Sequence, residues 1–301
     1  MKTFLNRNRS HTRIKEKLIK GILFLASLCS VFITGGIVFI LVTQSLPFFK
    51  TVSLTQFFLD TQWTPLFSDA HYGIWPLISG TFLTTSIALG LAIPMGIIMA
   101  LFLSEYAKTN VREMIKPALE LLSAVPTVVY GYFALLFITP LLQNWIPSLS
   151  GFNVLSAGLT MGMMIIPFIS SLSEDAFHAV PMSLREGSYA MGATRLQTAV
   201  RVVIPAAFSG VTASVILGIS RAVGETMIVA IAAGMQPNFT WNPLEPAQTL
   251  TAYIVQVSLG DLPHGTLGYH TIFVAGLTLF LITFVFNVIG HTFRLKFREM
   301  Y

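Results

Sequence analysis

Six continuous apolar stretches, at roughly 18–46, 74–104, 117–142, 153–173, 203–234 and 270–293, decide what this chain can fold into. About 20 mainly apolar residues let a helix cross the hydrocarbon core of a bilayer, so each stretch reads as one transmembrane helix. Several are longer than one crossing needs, which predicts tilt or ends projecting into water. The runs do not alternate polar and apolar residues, so they do not read as strands of a membrane barrel. Of the 301 residues, 54% are hydrophobic and 10% charged, far from the roughly one quarter charged of soluble domains. That balance argues against a soluble enzyme and a nucleic-acid partner. Cys29 is the only cysteine, which leaves no internal disulfide and no thiolate metal cluster. The sequence therefore predicts an all-α, polytopic membrane protein with six transmembrane helices.

Orientation follows from lysine and arginine, which collect on the cytoplasmic side of membrane proteins. Lys2, Arg7, Arg9, Arg13, Lys15, Lys17 and Lys20 precede or open the first helix. Lys108, Arg112 and Lys116 follow the second, Arg185, Arg195 and Arg201 the fourth, and Arg294, Lys296 and Arg298 the sixth. The loops after the first, third and fifth hold Lys50 alone, and Arg221 lies inside the fifth helix. Both termini are thus expected in the cytoplasm. The run Leu25-Ala26-Ser27-Leu28-Cys29 has a faint lipoprotein-cleavage form. Leu28 sits where a small residue is needed, however, and the apolar run continues, so the first stretch reads as an uncleaved helix.

The loop between the fourth and fifth stretches carries the densest local signals. Ser183-Leu184-Arg185-Glu186 has the form of a capping box, and Gly192 stands where a helix can end in the left-handed conformation. Thr194-Arg195-Leu196-Gln197 repeats the capping-box form. This predicts a short helix, a glycine corner and a second helix, either as a docking surface for a partner or as an interfacial helix lying on lipid.

The same residues resemble the "EAA" loop of ABC importer permeases, whose pattern reads E-A-A-x3-G-x9-I-x-L-P. Glu186, Gly192 and Pro205 fall in register, with Gly187 and Ser188 for the two alanines and Val202 and Ile204 for the aliphatic pair. Residues 76–106, 117–131 and 220–234 are similar to phosphate-specific importers. Gln62-Trp63-Thr64-Pro65 and the stretch around Gly265–Gly276 favour their C-type permease subunit. The resemblance implies a type I ABC importer permease fold. Its parts are a basic tail over 1–17, a first helix over 18–46, an external loop over 47–73, a five-helix core over 74–293 containing a coupling loop over 178–201, and a tail over 294–301. It implies ATPase coupling through Glu186, Gly192 and Pro205, and a non-catalytic subunit without cofactor. The implied partners are an A-type permease subunit, two cytoplasmic ATP-binding subunits, an external phosphate-binding protein and membrane lipid.

Arg221 and Glu225 lie four residues apart, which places them on one face if the fifth stretch is a single helix. An arginine at the centre of a bilayer helix costs about 2.5–3.5 kcal/mol, so it should face protein or water. It reads either as a positive fork for a tetrahedral oxyanion, tempered by Glu225, or as half of a structural ion pair. The resemblance places both on a substrate path. Glu120 reads either as part of the path or, the favoured reading, as an interfacial residue paired with Arg112 or Lys116. Ser123–Gly131, with Pro126 and Thr127, is expected to unwind or to kink.

Several chemistries are unrepresented. No G-x-x-x-x-G-K-[ST] occurs, so no P-loop for ATP. His11, His71, His178, His264, His270 and His291 lack metal-ligand spacing, and no metal site is expected. The leading expectation is a permease for inorganic phosphate, with sulfate, molybdate or another oxyanion as the alternative. A secondary anion transporter or channel, a membrane-embedded enzyme and a phosphate-signalling scaffold are the other readings.

Overall fold

A computed structural model of the chain describes the backbone of residues 2–260, 262–263 and 265–296, and side chains between residues 16 and 293 within those limits. The side chains of most of the basic tail expected over 1–17, and of the whole tail over 294–301, lie outside the described residues. Among the described residues the fold is helical, with one isolated antiparallel bridge between Trp63 and Tyr72.

α1 spans Lys2–Thr51 and α2 Leu54–Leu59. α3 covers Trp75–Tyr106 and ends in a π turn at Phe102–Tyr106. α4 (Thr109–Ser123) and α5 (Thr127–Gln143) meet at 87°. α6 is Val154–His178, α7 Met182–Ala190 and α8 Arg195–Ala206. α8 and α9 (Phe208–Val223) meet at 73°. α10 (Met227–Ala232), α11 (Leu250–Ser258) and α12 (Leu267–Lys296) complete the chain.

The six apolar stretches therefore become four unbroken membrane-length helices and two bent pairs. Hydrophobicity fixes how much chain can enter a bilayer, but not its direction. At 124–126 the turn falls on Pro126, which has no N–H to continue a helix, and the Tyr130 hydroxyl donates across the break to the Leu122 carbonyl at 2.8 Å. The stretch over 203–234 splits twice, at Ala207 and at 224–226.

The centre of the bundle is the α3–α6 contact. Gly158 and Gly162 form a G-x-x-x-G step on α6. A Cβ at Gly158 would meet the Ile87 side chain at 2.8 Å, and one at Gly162 the Ala88 carbonyl oxygen at 2.8 Å. Small residues here let two membrane helices approach closely, which is how such helices gain packing without a hydrophobic driving force between them. Met161, Met164, Ile165 and Ile169 of α6 fill the core with Ala88, Ala92, Ile228 and Val229. α10 is buried against α5 and α6, with Gly131 giving it room.

At one end of the bundle, Trp63 is buried beneath Tyr253, their rings 5.2 Å apart edge to face, and Tyr253 shares a 2.6 Å hydrogen bond with Thr271. α1 joins this end through Phe48, with Val52 just past its end, while Leu18 through Ile40 present exposed apolar side chains along most of its length. The Asp60 carboxylate accepts the Gln62 N–H at 2.9 Å and pairs with His71 Nδ1 at 2.8 Å. Burial pushes the Asp60 carboxyl up, but the Gln62 N–H and then His71 outweigh it and hold it below the usual carboxylate value. The hydrogen bond to Asp60 raises His71 above the usual imidazole value.

The raised His71 contributes stability that is lost as pH rises through its folded value. The lowered Asp60 contributes stability that is lost as pH falls through its own. Protection of the Thr64 and Gly73 amides, which bond to the His71 and Gln62 carbonyls, is therefore expected to be greatest between those two values and to decline on both sides. Asp60→Asn should flatten the profile. Hydrogen exchange corrected for intrinsic rate checks this, and a flat wild-type profile would contradict it.

Candidate functional site

Arg221 occupies the last turn of α9 and lies against the middle of α6. Its Nη2 stands 4.0 Å from the Met164 sulfur, and the guanidinium carbon lies 5.8 Å from the centroid of the Phe168 ring. A cation over an aromatic face is attracted by the ring quadrupole, yet neither neighbour neutralises the charge. The Nε proton is buried without an acceptor. Arg221 as a whole is half-buried, and among the described residues no carboxylate pairs with it. Its buried Nε donor costs free energy until an anion or water reaches it.

Glu225 does not share a helical face with Arg221. α9 ends at Val223, with Gly224 at its cap, so the i, i+4 geometry stops before Glu225 is reached. The Glu225 side chain, 8% exposed, turns instead to the start of α10. There Oε1 accepts the Met227 N–H at 3.1 Å and the Ile228 N–H at 3.4 Å. These are among the first N–H groups of that helix, which have no intrahelical partner. The Glu225 carbonyl accepts the Thr251 hydroxyl at 2.7 Å. Among the described residues no ion pair joins Arg221 to Glu225, so the structural pair, the alternative to an oxyanion fork, is not formed. The guanidinium is left without a countercharge.

At the other end of the bundle, α7 and α8 form the expected helix–corner–helix. Gly192 has φ +82°, the left-handed region that glycine enters without steric cost. The Gly192 N–H bonds the Tyr189 carbonyl at 2.9 Å and the Ala193 N–H the Ser188 carbonyl at 3.2 Å, which is the Schellman closure of α7. Thr194 and Gln197 form the expected capping box, with both reciprocal bonds present. The Ser188 and Thr198 hydroxyls, 2.9 Å apart, tie the two helices together. The first expected box is absent. α7 starts one residue after Pro181, so Ser183 already lies inside the helix and does not cap it. Glu186 is exposed, and Pro205 sits two residues before the 73° bend into α9.

Arg112 and Lys116 do not meet Glu120, which is exposed. They hold Glu174 and Asp175 of α6 instead: Arg112–Glu174 at 2.5 Å, Lys116–Glu174 at 2.7 Å and Lys116–Asp175 at 2.6 Å. Arg185 is the residue that sequence reading passed over as a mere topology marker. Its side chain is 10% exposed and pairs with Glu105 of α3 at 2.9 Å. It also donates to the Phe177 carbonyl at 2.8 Å and the Val180 carbonyl at 2.5 Å, beside the end of α6. A cavity of about 440 Å³ opens beside it, lined by Ser104, His178, Met182, Tyr189 and Arg195. Glu105 and Arg185 are 80 positions apart, and nothing in a single sequence links them. Among the described residues no group of three or more His, Cys, Asp or Glu side chains could hold a metal ion.

Residues 92–298 match the family described as "Binding-protein-dependent transport system inner membrane component". The probable ABC transporter permease protein YqgH of Bacillus subtilis is 37% identical over 235 residues, covering 78% of this chain and 76% of that protein. The phosphate transport system permease protein PstC of Xylella fastidiosa is 34% identical over 261 residues, covering 80% and 79%. Among solved structures, a bacterial ABC transporter involved in import of the acidic polysaccharide alginate superposes with TM-score 0.64 at 16% identity, over 95% of this chain and all of that one. The MetNI methionine ABC transporter superposes with TM-score 0.54 at 18% identity, over 75% and 95%. Likeness at that level of identity establishes the shared fold.

Proposed function

Because the chain belongs to the family of inner membrane components of binding-protein-dependent transport systems, we propose that it is the permease subunit of an ATP-driven importer of inorganic phosphate. The family supplies a multi-pass transport subunit rather than a catalyst, and ATP hydrolysis belongs to a separate chain. The substrate assignment draws on relatives named as phosphate permeases, and on one observation in particular: the Arg221 guanidinium, placed mid-bundle without a carboxylate partner among the described residues. A planar fork of donors suits an oxyanion with several acceptor oxygens. Because Arg221 is left unneutralised, an arriving anion replaces a cost rather than competing with a resident carboxylate.

In this reading an A-type permease subunit completes the path. Two ATPases bind the α7–α8 loop at Glu186, Gly192 and Pro205, and a binding protein delivers phosphate to the opposite end, near Trp63. The concentration of basic residues at the α7–α8 end supports a cytoplasmic position for that end and for both termini. The test is uptake of labelled orthophosphate at micromolar concentration, in cells lacking the chain and in the same cells complemented with it, with excess sulfate or molybdate as competitor. Complementation is expected to restore ATP-dependent uptake that ignores both competitors. Suppression by either would move the assignment to that oxyanion and leave the permease architecture standing.

A further inference from the structure

We propose that Arg185, held by Glu105, is the positioning residue through which the α7–α8 loop moves the membrane helices; the inference rests on the importer reading above. Neighbouring residues on a helix face different ways, and α7 uses this directly. Glu186 is exposed, while Arg185 next to it is buried. The Arg185 guanidinium reaches three elements at once. Its own helix is α7, Nε and Nη2 meet the Glu105 carboxylate on the π turn closing α3, and Nη1 and Nη2 take the Val180 and Phe177 carbonyls beside the end of α6.

The Phe177 carbonyl belongs to the last turn of α6 and carries the negative end of its dipole, so the cation is favoured there as well as by Glu105. The Glu105 side chain is itself 6% exposed. A buried, multidentate pair of this kind holds its geometry in a way that an exposed pair does not. α3 and α6 are the helices packed across Gly158 and Gly162, and α6 carries Met164 and Phe168 against Arg221. A displacement at the exposed face of α7 therefore arrives, through one side chain, at the two helices that frame Arg221. The cavity beside Arg185 is lined by the pair itself, Arg185 and Glu105, together with Val180 and residues of α7 and α8.

The experiment uses the complete transporter in proteoliposomes, reading ATP hydrolysis and phosphate uptake together, with co-purification of the ATPase as a third readout. Arg185→Ala and Glu105→Ala are expected to retain the ATPase at the wild-type amount, while ATP consumed per phosphate imported rises about tenfold, the scale of a typical coupling energy. The double variant should be no worse than the poorer single one, because both act on one connection. Glu105→Asp, which keeps the carboxylate, should stay within about threefold of wild type. An unchanged ratio in both alanine variants overturns the proposal. So does loss of the ATPase, which would put Arg185 in the docking surface itself. Disappearance of all three single variants from the membrane would also overturn it, leaving the pair purely structural. If the wild-type transporter shows no ATP-dependent phosphate uptake, it is the importer reading that fails.

Discussion

In cells whose only copy of the chain carries Arg221→Ala, phosphate uptake is expected to fall about a hundredfold or more, to that of cells without the chain, while the permease still reaches the membrane and still binds its partners. A hydrogen bond to a charged group contributes about 1.5–3 kcal/mol, and a forked pair about twice that. Each 1.4 kcal/mol is tenfold. Assembly should survive because Arg221 makes no ion pair with Glu225, so truncation leaves no buried carboxylate stranded and removes an Nε donor that already lacked an acceptor. Arg221→Lys keeps the charge but loses the planar fork, and an intermediate rate is expected. Uptake assays alongside membrane immunoblots decide the matter. A variant that vanished from the membrane would mean that the contacts with Met164 and Phe168 carry folding rather than transport.

The second large effect is at Gly192. Its φ of +82° would cost an L-residue about 1–2 kcal/mol, a factor of roughly 5–30 in the population of the native corner. Gly192→Val is therefore expected to weaken ATPase co-purification by about that factor, and Glu186→Ala to weaken it through loss of the exposed carboxylate itself. Gly187 offers a contrast, since a Cβ there meets nothing within 4 Å and its backbone is ordinary. Gly187→Ala should be silent unless the partner needs that space. Unchanged co-purification with Gly192→Val and Glu186→Ala would rule out docking at this loop.

What the sequence made legible was of two kinds. Local chemistry was readable wherever one residue type has one physical reason to be present. The left-handed glycine at 192 and the Thr194–Gln197 box both follow from backbone hydrogen bonding within a few residues. The number and length of the apolar stretches were readable because a bilayer demands them. Legibility failed where tertiary partners decide. Relating Arg221 to Glu225 by four residues presumes an unbroken helix, whereas the chain breaks at 224–226, where the Glu225 side chain and Thr251 satisfy backbone groups within and just after the break. Ser183 had the right neighbours for a cap but was overtaken by Pro181, which starts the helix earlier. Arg112 and Lys116 had a nearby carboxylate in Glu120, but the folded chain brings them to the distant Glu174 and Asp175.

The shortness of α9 bears on how such a chain enters a bilayer at all. Its 16 residues reach about 24 Å at 1.5 Å per residue, less than the roughly 30 Å of hydrocarbon. Taken alone during synthesis, the segment is too short to span, and its last turn carries an arginine that lipid penalises. α10, six residues long, cannot make up the difference as an independent span. Even with α8, which meets α9 at 73° rather than extending it, stable insertion of the fifth stretch is expected to draw on α5 and α6, against which α10 is buried. Biogenesis of this region is then expected to be a cooperative event among segments rather than a series of independent transfers from the translocon. Substitutions at Gly131, far from the arginine in sequence but in contact with Ile231, should accordingly show themselves first as failures of topology in newly made chains.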